Sequence, residues 1–288
     1  MPRSLQLSLI LLAPVAVFAA MVGADRAFGA PGRGTGYVLR IELPPTRGEI
    51  GLPELEGPLD ASRPLVVIDA GHGGFDPGAG QGSIREKYLT LMLARRLRDE
   101  LLAKGGVRVA LTRDDDRYLL LPERSGIARR LKADLFISIH ADSVEAGDAS
   151  GASIYTLSER GTTETAQRMA DRENGADRVN GVLLQDKSDA VSAILVDLSQ
   201  RETQAQSEEF ARLLLREGLG RIRFREGPLE SAAFVVLKSP DVPSVLFESG
   251  YISNAGDTAR LLSPAGREAF AQATAQAIRV FLARQSLR

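Results

Sequence analysis

The chain has 288 residues, 44% hydrophobic and 25% charged, a balance that fits one large globular domain or two small ones. A formal net charge of -1, aromatics at only 5% and the absence of tryptophan argue against a nucleic-acid partner, which needs a basic field or stacking platforms. The absence of cysteine excludes disulfides, thiolate metal ligands and a thiol nucleophile.

Arg3 precedes an almost continuously apolar run, Leu5 to Val22, broken by Gln6, Ser8 and Pro14, and Val22-Gly23-Ala24 supplies small residues of the kind a signal peptidase reads. Residues 1–24 are therefore expected to be a signal peptide, with export to the periplasm. An uncleaved membrane anchor is the alternative, because the run is nearly long enough to span a bilayer. Residues 25–62 read as a linker with one strand over Gly36–Leu43, followed by the breakers Pro44, Pro45, Pro53 and Pro58.

From Arg63 onward strands and helices alternate. Leu65 to Gly71 is an apolar run ending at His72, followed by a glycine-rich loop to Gly82. Glu86-Lys87 opens a helix whose Leu89, Leu93, Leu97 and Leu101 lie four apart on one face, and Gly105-Gly106 ends it. Val107–Thr112 predicts a strand, Pro122–Lys132 a helix, and Leu135–Ile139 a second apolar strand ending at His140. Further strands are expected at Ala152–Leu157, Ala233–Leu237 and Ser244–Phe247, and a last helix over about Pro264–Arg284. The predicted fold class is α/β: a mostly parallel twisted sheet with helices on both faces.

The chain contains only two histidines, and each ends a predicted buried strand. In open α/β sheets, ligands bind outside the carboxyl ends of the strands, so two imidazoles there point to a metal site at that edge. Without thiolates a zinc site must use N and O ligands; His72 and His140 supply two, and a carboxylate must supply the third. Glu86 is placed for that role, since the glycine-rich loop can fold it back toward His72; a first-turn acid favoured by the helix dipole is the alternative. Glu248 ends a third apolar run, Val242 to Phe247, where burial of an acid calls for a partner. Beside a metal it would serve as the base that takes a proton from water and returns it to a leaving amine.

Three ordered motifs carry a resemblance. Val67-Ile68-Asp69-Ala70-Gly71-His72-Gly73-Gly74, with Asp76-Pro77-Gly78 and Glu86-Lys87, resembles the zinc motif of N-acetylmuramoyl-L-alanine amidases, and more narrowly of the bacterial cell-division amidases of the Amidase_3 type. Ala133 to Asp142 and Leu237 to Asn254 resemble the second and third motifs, so the similarity covers roughly residues 63–285. Ser249 and Tyr251 stand where the family more often has Thr and Phe. The resemblance implies a catalytic domain over 63–288, zinc ligands His72, Glu86 and His140, and Glu248 as catalytic acid/base. The implied reaction cleaves the amide between N-acetylmuramic acid and L-alanine of the peptidoglycan stem peptide, in wall remodelling and daughter-cell separation. It also implies that 25–62 is a remnant of an N-terminal targeting region.

Two helical stretches, Thr162–Asn174 and Asp189–Leu198, lie in the segment 158–207, which resembles the regulatory insertion of the division amidases. Glu173 is the candidate autoinhibitory fourth ligand and Glu164 the second candidate. A LytM-type activator of the division machinery is expected to bind the face formed by Val191, Ile194, Leu195 and Leu198; the same stripe read without the resemblance is ordinary core. Another zinc peptidase of the cell wall, or a wall-binding module that keeps the fold, are the competing functions.

Overall fold

The computed structural model describes residues 51–143, 149–179, 182–183 and 193–287. The expected signal peptide, the Gly36–Leu43 strand and the side chains of Val191, Ile194, Leu195 and Leu198 lie outside the residues described. The fold below is that of the unit Ile50–Arg288.

In chain order the elements are β1 (Leu65–Ala70), β2 (Gly80–Gln81), β3 (Ile84–Arg85), α1 (Glu86–Lys104), β4 (Arg108–Leu111), α2 (Leu121–Arg130), β5 (Leu135–His140), β6 (Ala152–Leu157) and α3 (Glu164–Glu173). A short hairpin of β7 (Arg178–Val179) and β8 (Val182–Leu183) follows, then α4 (Ala193–Gly218), β9 (Phe224–Ala232), β10 (Ser244–Glu248), α5 (Ala255–Leu262) and α6 (Pro264–Gln285). Six strands form one sheet in the order β4-β1-β5-β10-β6-β9. β4, β1, β5 and β10 run parallel, and β6 pairs antiparallel with β10.

The alternation along each buried strand sends side chains to two separate cores. Val66, Ile68, Ile137, Ile139, Val245 and Phe247 pack on one face with α1, α4 and α6, through Leu93, Leu97, Phe210, Leu214, Ile278 and Phe281. Leu65, Val67, Phe136 and Leu246 pack on the other, with Ile127 and Ala128 of α2 and Met169 of α3. The sheet is therefore covered by helices on both sides, as the sequence predicted.

Two expectations are corrected. Ala233–Leu237 is not a strand: Val235–Leu237 forms a 3-10 turn, because the Val235 N–H is given to the Asn174 side chain at 2.8 Å rather than to a neighbouring strand. The edge strand is Phe224–Ala232 instead, a polar segment containing Gly227 and Pro228 that sits where edge strands tolerate such residues. The second helix of the insertion continues past residue 207 to Gly218, and its later turns bury Phe210 and Leu214 in the core.

Candidate metal centre

Two histidines converge because two neighbouring strands end together. β5 stops at His140, and β1 runs beside it with Ala70 opposite Ile139. β10 lies on the other side of β5, with Glu248 in register with His140. The chain after β1 turns sharply: His72 has φ 60, in the left-handed region that non-glycine residues rarely occupy. Two buried guanidinium groups hold this turn. Arg113 donates to the carbonyls of Ala70 at 2.9 Å and Gly71 at 2.8 Å, and Arg124 donates to those of Ala70 and His72, both at 2.8 Å. Arg124 is neutralised by buried Asp69 at 3.0 Å, which also accepts from Thr112 at 2.6 Å and Ser138 at 2.7 Å. Burial opposes ionisation of Asp69, but Arg124 and the two hydroxyls outweigh it and hold its pKa below the usual value. Burial and the nearby Arg124 charge lower Arg113 to about 10.

The two imidazole rings lie 4.9 Å apart, edge to face. Asp76 Oδ2 stands 2.7 Å from His72 Nδ1 and fixes the ring orientation, leaving Nε2 directed into the site. There His72 Nε2 makes no hydrogen bond, although Glu86 Oε2 lies 3.0 Å away. Glu86 bridges both rings, with Oε1 3.2 Å from His140 Nδ1. Its carboxylate also accepts from the backbone N–H of Ala79 and of Ala141, both at 2.8 Å, so the glycine-rich loop and the end of β5 close on it. Gly78 makes this closure possible: a Cβ there would stand 2.5 Å from His72 Cδ2 and 2.7 Å from Glu86 Oε2.

Glu173, the last residue of α3, reaches the same point. Its Oε2 lies 3.6 Å from His72 Nε2 and 3.2 Å from His140 Nδ1, and it has no hydrogen-bond partner. His72, His140 and Glu173 offer ligand atoms within 4.8 Å of one another, all buried. Glu164, the second candidate for this position, is ruled out. Its side chain is 93% exposed and faces Arg168 at 3.5 Å on the outer side of the helix.

Glu248 is fully buried. Its Oε2 accepts the Asp142 N–H at 3.0 Å, while Oε1 has no partner. Burial, with the neighbouring carboxylates of Asp142, Glu86 and Glu173, pushes its pKa well above the usual range. Asp142 is raised to about 7 by burial, against the pull of Arg172. Burial disfavours charged His72, yet Glu86, Asp76 and Glu173 outweigh it and raise its pKa well above the ordinary value. Glu86, opposed by burial but facing both imidazoles, is held low.

The set fits a cation. Glu86, Asp142, Glu173 and Glu248 crowd into a buried space with two imidazoles and one arginine, and unpartnered ligand atoms of His72 and Glu173 face each other there. Buried charge of this kind demands a counter-charge, and a mixed N/O donor set suits a divalent metal.

Sequence reasoning brought His72, Glu86, His140, Glu173 and Glu248 to one place. It missed Asp76 as the partner of His72, though that acid lies inside the quoted motif. It also missed Arg113, Arg124 and Arg172, which read as surface charges and carry no periodic signal.

Fold and site define an α/β protein with a buried imidazole–carboxylate cluster, able to hold a metal ion, at the carboxyl edge of a mostly parallel sheet. Residues 66–280 match the N-acetylmuramoyl-L-alanine amidase family (Amidase_3), and the chain belongs to it. It is 39% identical over 216 residues to the N-acetylmuramoyl-L-alanine amidase AmiA of Escherichia coli K12, covering 74% of each chain. It is 36% identical over 231 residues to AmiC of Escherichia coli O6:H1, covering 79% of this chain but only 55% of that relative. Among solved structures, AmiC2 of Nostoc punctiforme superposes with a TM-score of 0.54 at 29% identity, over 76% of this chain and 97% of the other. Among the described residues no helix is long and apolar enough to cross a membrane.

Proposed function

We propose that the protein is a zinc-dependent peptidoglycan hydrolase that cleaves the amide between the lactyl group of N-acetylmuramic acid and L-alanine, in the periplasm, during daughter-cell separation. The observation that carries this reading is the meeting of His72, His140 and Glu86 next to the unpartnered Glu248 Oε1. His72, Glu86 and His140 would hold the metal. When bound, zinc polarises the amide carbonyl and makes water acidic enough to attack near neutral pH.

The chain's own groups supply the proton transfers and the orientation. Asp142 N–H fixes Glu248 Oε2, so Oε1 is the oxygen left to accept a proton from the attacking water. The same oxygen then returns the proton to the departing alanine nitrogen. Asp76 on His72 Nδ1 keeps Nε2 aimed at the metal position.

The approach of Glu173 Oε2 to both imidazoles supports a resting state in which Glu173 blocks the space that substrate must enter. An activator, of the LytM type, draws α3 away through the segment 158–207. Glu173→Ala should raise the basal rate; an unchanged rate would remove Glu173 from this role. The central experiment incubates purified protein with peptidoglycan, with and without chelator, alongside Glu248→Ala. Peptides with a free L-alanine amine and intact glycans are expected from the metal-loaded wild type alone, and cleavage that persists under chelation sinks the reading.

A further inference from the structure

Among the described residues, the aromatic side chains that face solvent are Phe75 and Tyr88, at 53% and 50% exposure. Phe75 follows His72 by three residues and Tyr88 follows Glu86 by two in the chain. An exposed Phe forgoes roughly 1.5–3 kcal/mol of burial, yet this one is held rigidly. Gly73 and Asp76 exchange backbone hydrogen bonds at 3.0 and 3.1 Å, so Gly74-Phe75 is the tip of a two-residue turn, with Gly74 at φ +59. Lys87 Nζ donates to the Gly74 carbonyl at 2.7 Å, and the Gly74 N–H reaches Asp116 at 2.9 Å. The Phe75 ring lies against Tyr118, with centroids 4.1 Å apart and planes at 33°. The base of the same turn is Asp76, the residue that orients His72. The ring is thus braced at a fixed offset from the cluster.

We propose that Phe75, backed by Tyr118, is a sugar-stacking subsite that receives a pyranose ring on the acyl side of the scissile amide. This rests on the peptidoglycan reading above. One face of a pyranose with equatorial substituents presents axial C–H groups, an apolar surface that matches a flat aromatic ring while the hydroxyls stay in water. The stem peptide offers no such face. A protein partner is the weaker fit, since stable protein interfaces bury about 800 Å² per partner and this platform is one backed ring. Binding energy gathered there, away from the reacting bond, is the same for substrate and transition state and therefore lowers KM.

The chain has no tryptophan, so Phe75→Trp installs a single fluorophore at the platform. The full-length variant is titrated with the peptide-free disaccharide of N-acetylglucosamine and N-acetylmuramic acid, and separately with sugar-free stem peptide. A saturable emission change with the disaccharide and none with the peptide is expected. Phe75→Ala should raise KM for muramoyl-peptide about three- to tenfold with kcat within twofold, and Phe75→Tyr should restore it. An unchanged KM, or emission that answers only to the stem peptide or to an activator protein, overturns the proposal. Failure of metal-loaded Glu173→Ala, with the proposed block removed, to hydrolyse muramoyl-peptide would instead refute the amidase reading, while the disaccharide titration still reports on the subsite.

Discussion

Arg172→Ala tests how the resting state is held. Arg172 precedes Glu173 on α3 and pairs with the buried carboxylate of Asp142, while its guanidinium donates to the Ser143 carbonyl at 2.9 Å. These contacts tie the end of α3 to the segment that follows β5, the same segment whose Asp142 N–H fixes Glu248. A charge-assisted hydrogen bond contributes about 1.5–3 kcal/mol when shielded. Since the Arg172 side chain is 48% exposed, solvent screening reduces this to about 1–2 kcal/mol. Asn174, which exchanges hydrogen bonds with Ala233 and Val235, and Asp177, which accepts from Tyr118 and Leu121, remain in the variant. Losing about 1–2 kcal/mol from the closed state alone raises the open fraction about five- to thirtyfold. Basal release of dye-labelled peptidoglycan fragments should rise by that factor, to a ceiling set by Glu173→Ala. If Glu173→Ala is activated and Arg172→Ala stays within twofold of wild type, Arg172 is no part of the restraint.

Three further outcomes are expected. Glu248→Gln should lower kcat about 10²- to 10⁴-fold; because burial disfavours its ionised form, thermal unfolding of the metal-free variant should show equal or greater stability than wild type at neutral pH. Gly78→Ala places a Cβ against His72 and Glu86 at a residue with φ +63, so the rise in unfolding temperature that zinc gives the wild type should be lost, while the far-UV spectrum is kept. Asp69→Asn leaves Arg124 without its buried counter-charge and should cost about 3–5 kcal/mol in denaturant titrations. The Asp69 pKa is lower folded than unfolded. Its contribution is therefore complete above the unfolded value of about 3.9 and disappears as pH falls through the folded one, so the wild-type advantage should vanish in strong acid.

The parts of this fold that were legible are those where burial leaves a pattern. The apolar runs before His72 and His140 became β1 and β5, and the four-residue leucine spacing became the buried face of α1. The segment Ala233–Leu237 misled because apolar composition reports burial, not hydrogen bonding; Asn174, sixty-one residues earlier, takes the amide that a strand would have shared. Phe224–Ala232 was missed for the complementary reason: an edge strand carries polar residues, and nothing local separates it from a loop. At the site, the ligand candidates were visible through rarity and position. The arginines that shape it were not, since the partners of Arg113 and Arg124 are mainly backbone carbonyls brought close only by the tertiary fold.

The long helix α4 has a mechanical consequence. Its 26 residues make a rod of about 39 Å at 1.5 Å per residue. The rod is bolted partway along, where Ser207 Oγ accepts the Ser244 N–H at the start of β10, and beyond that point Phe210 and Leu214 are buried. A load applied to its amino-terminal end meets a stiff mast rooted in the same sheet that carries Glu248. Such a load is taken up by the sheet, so the register of His140 and Glu248 is left untouched.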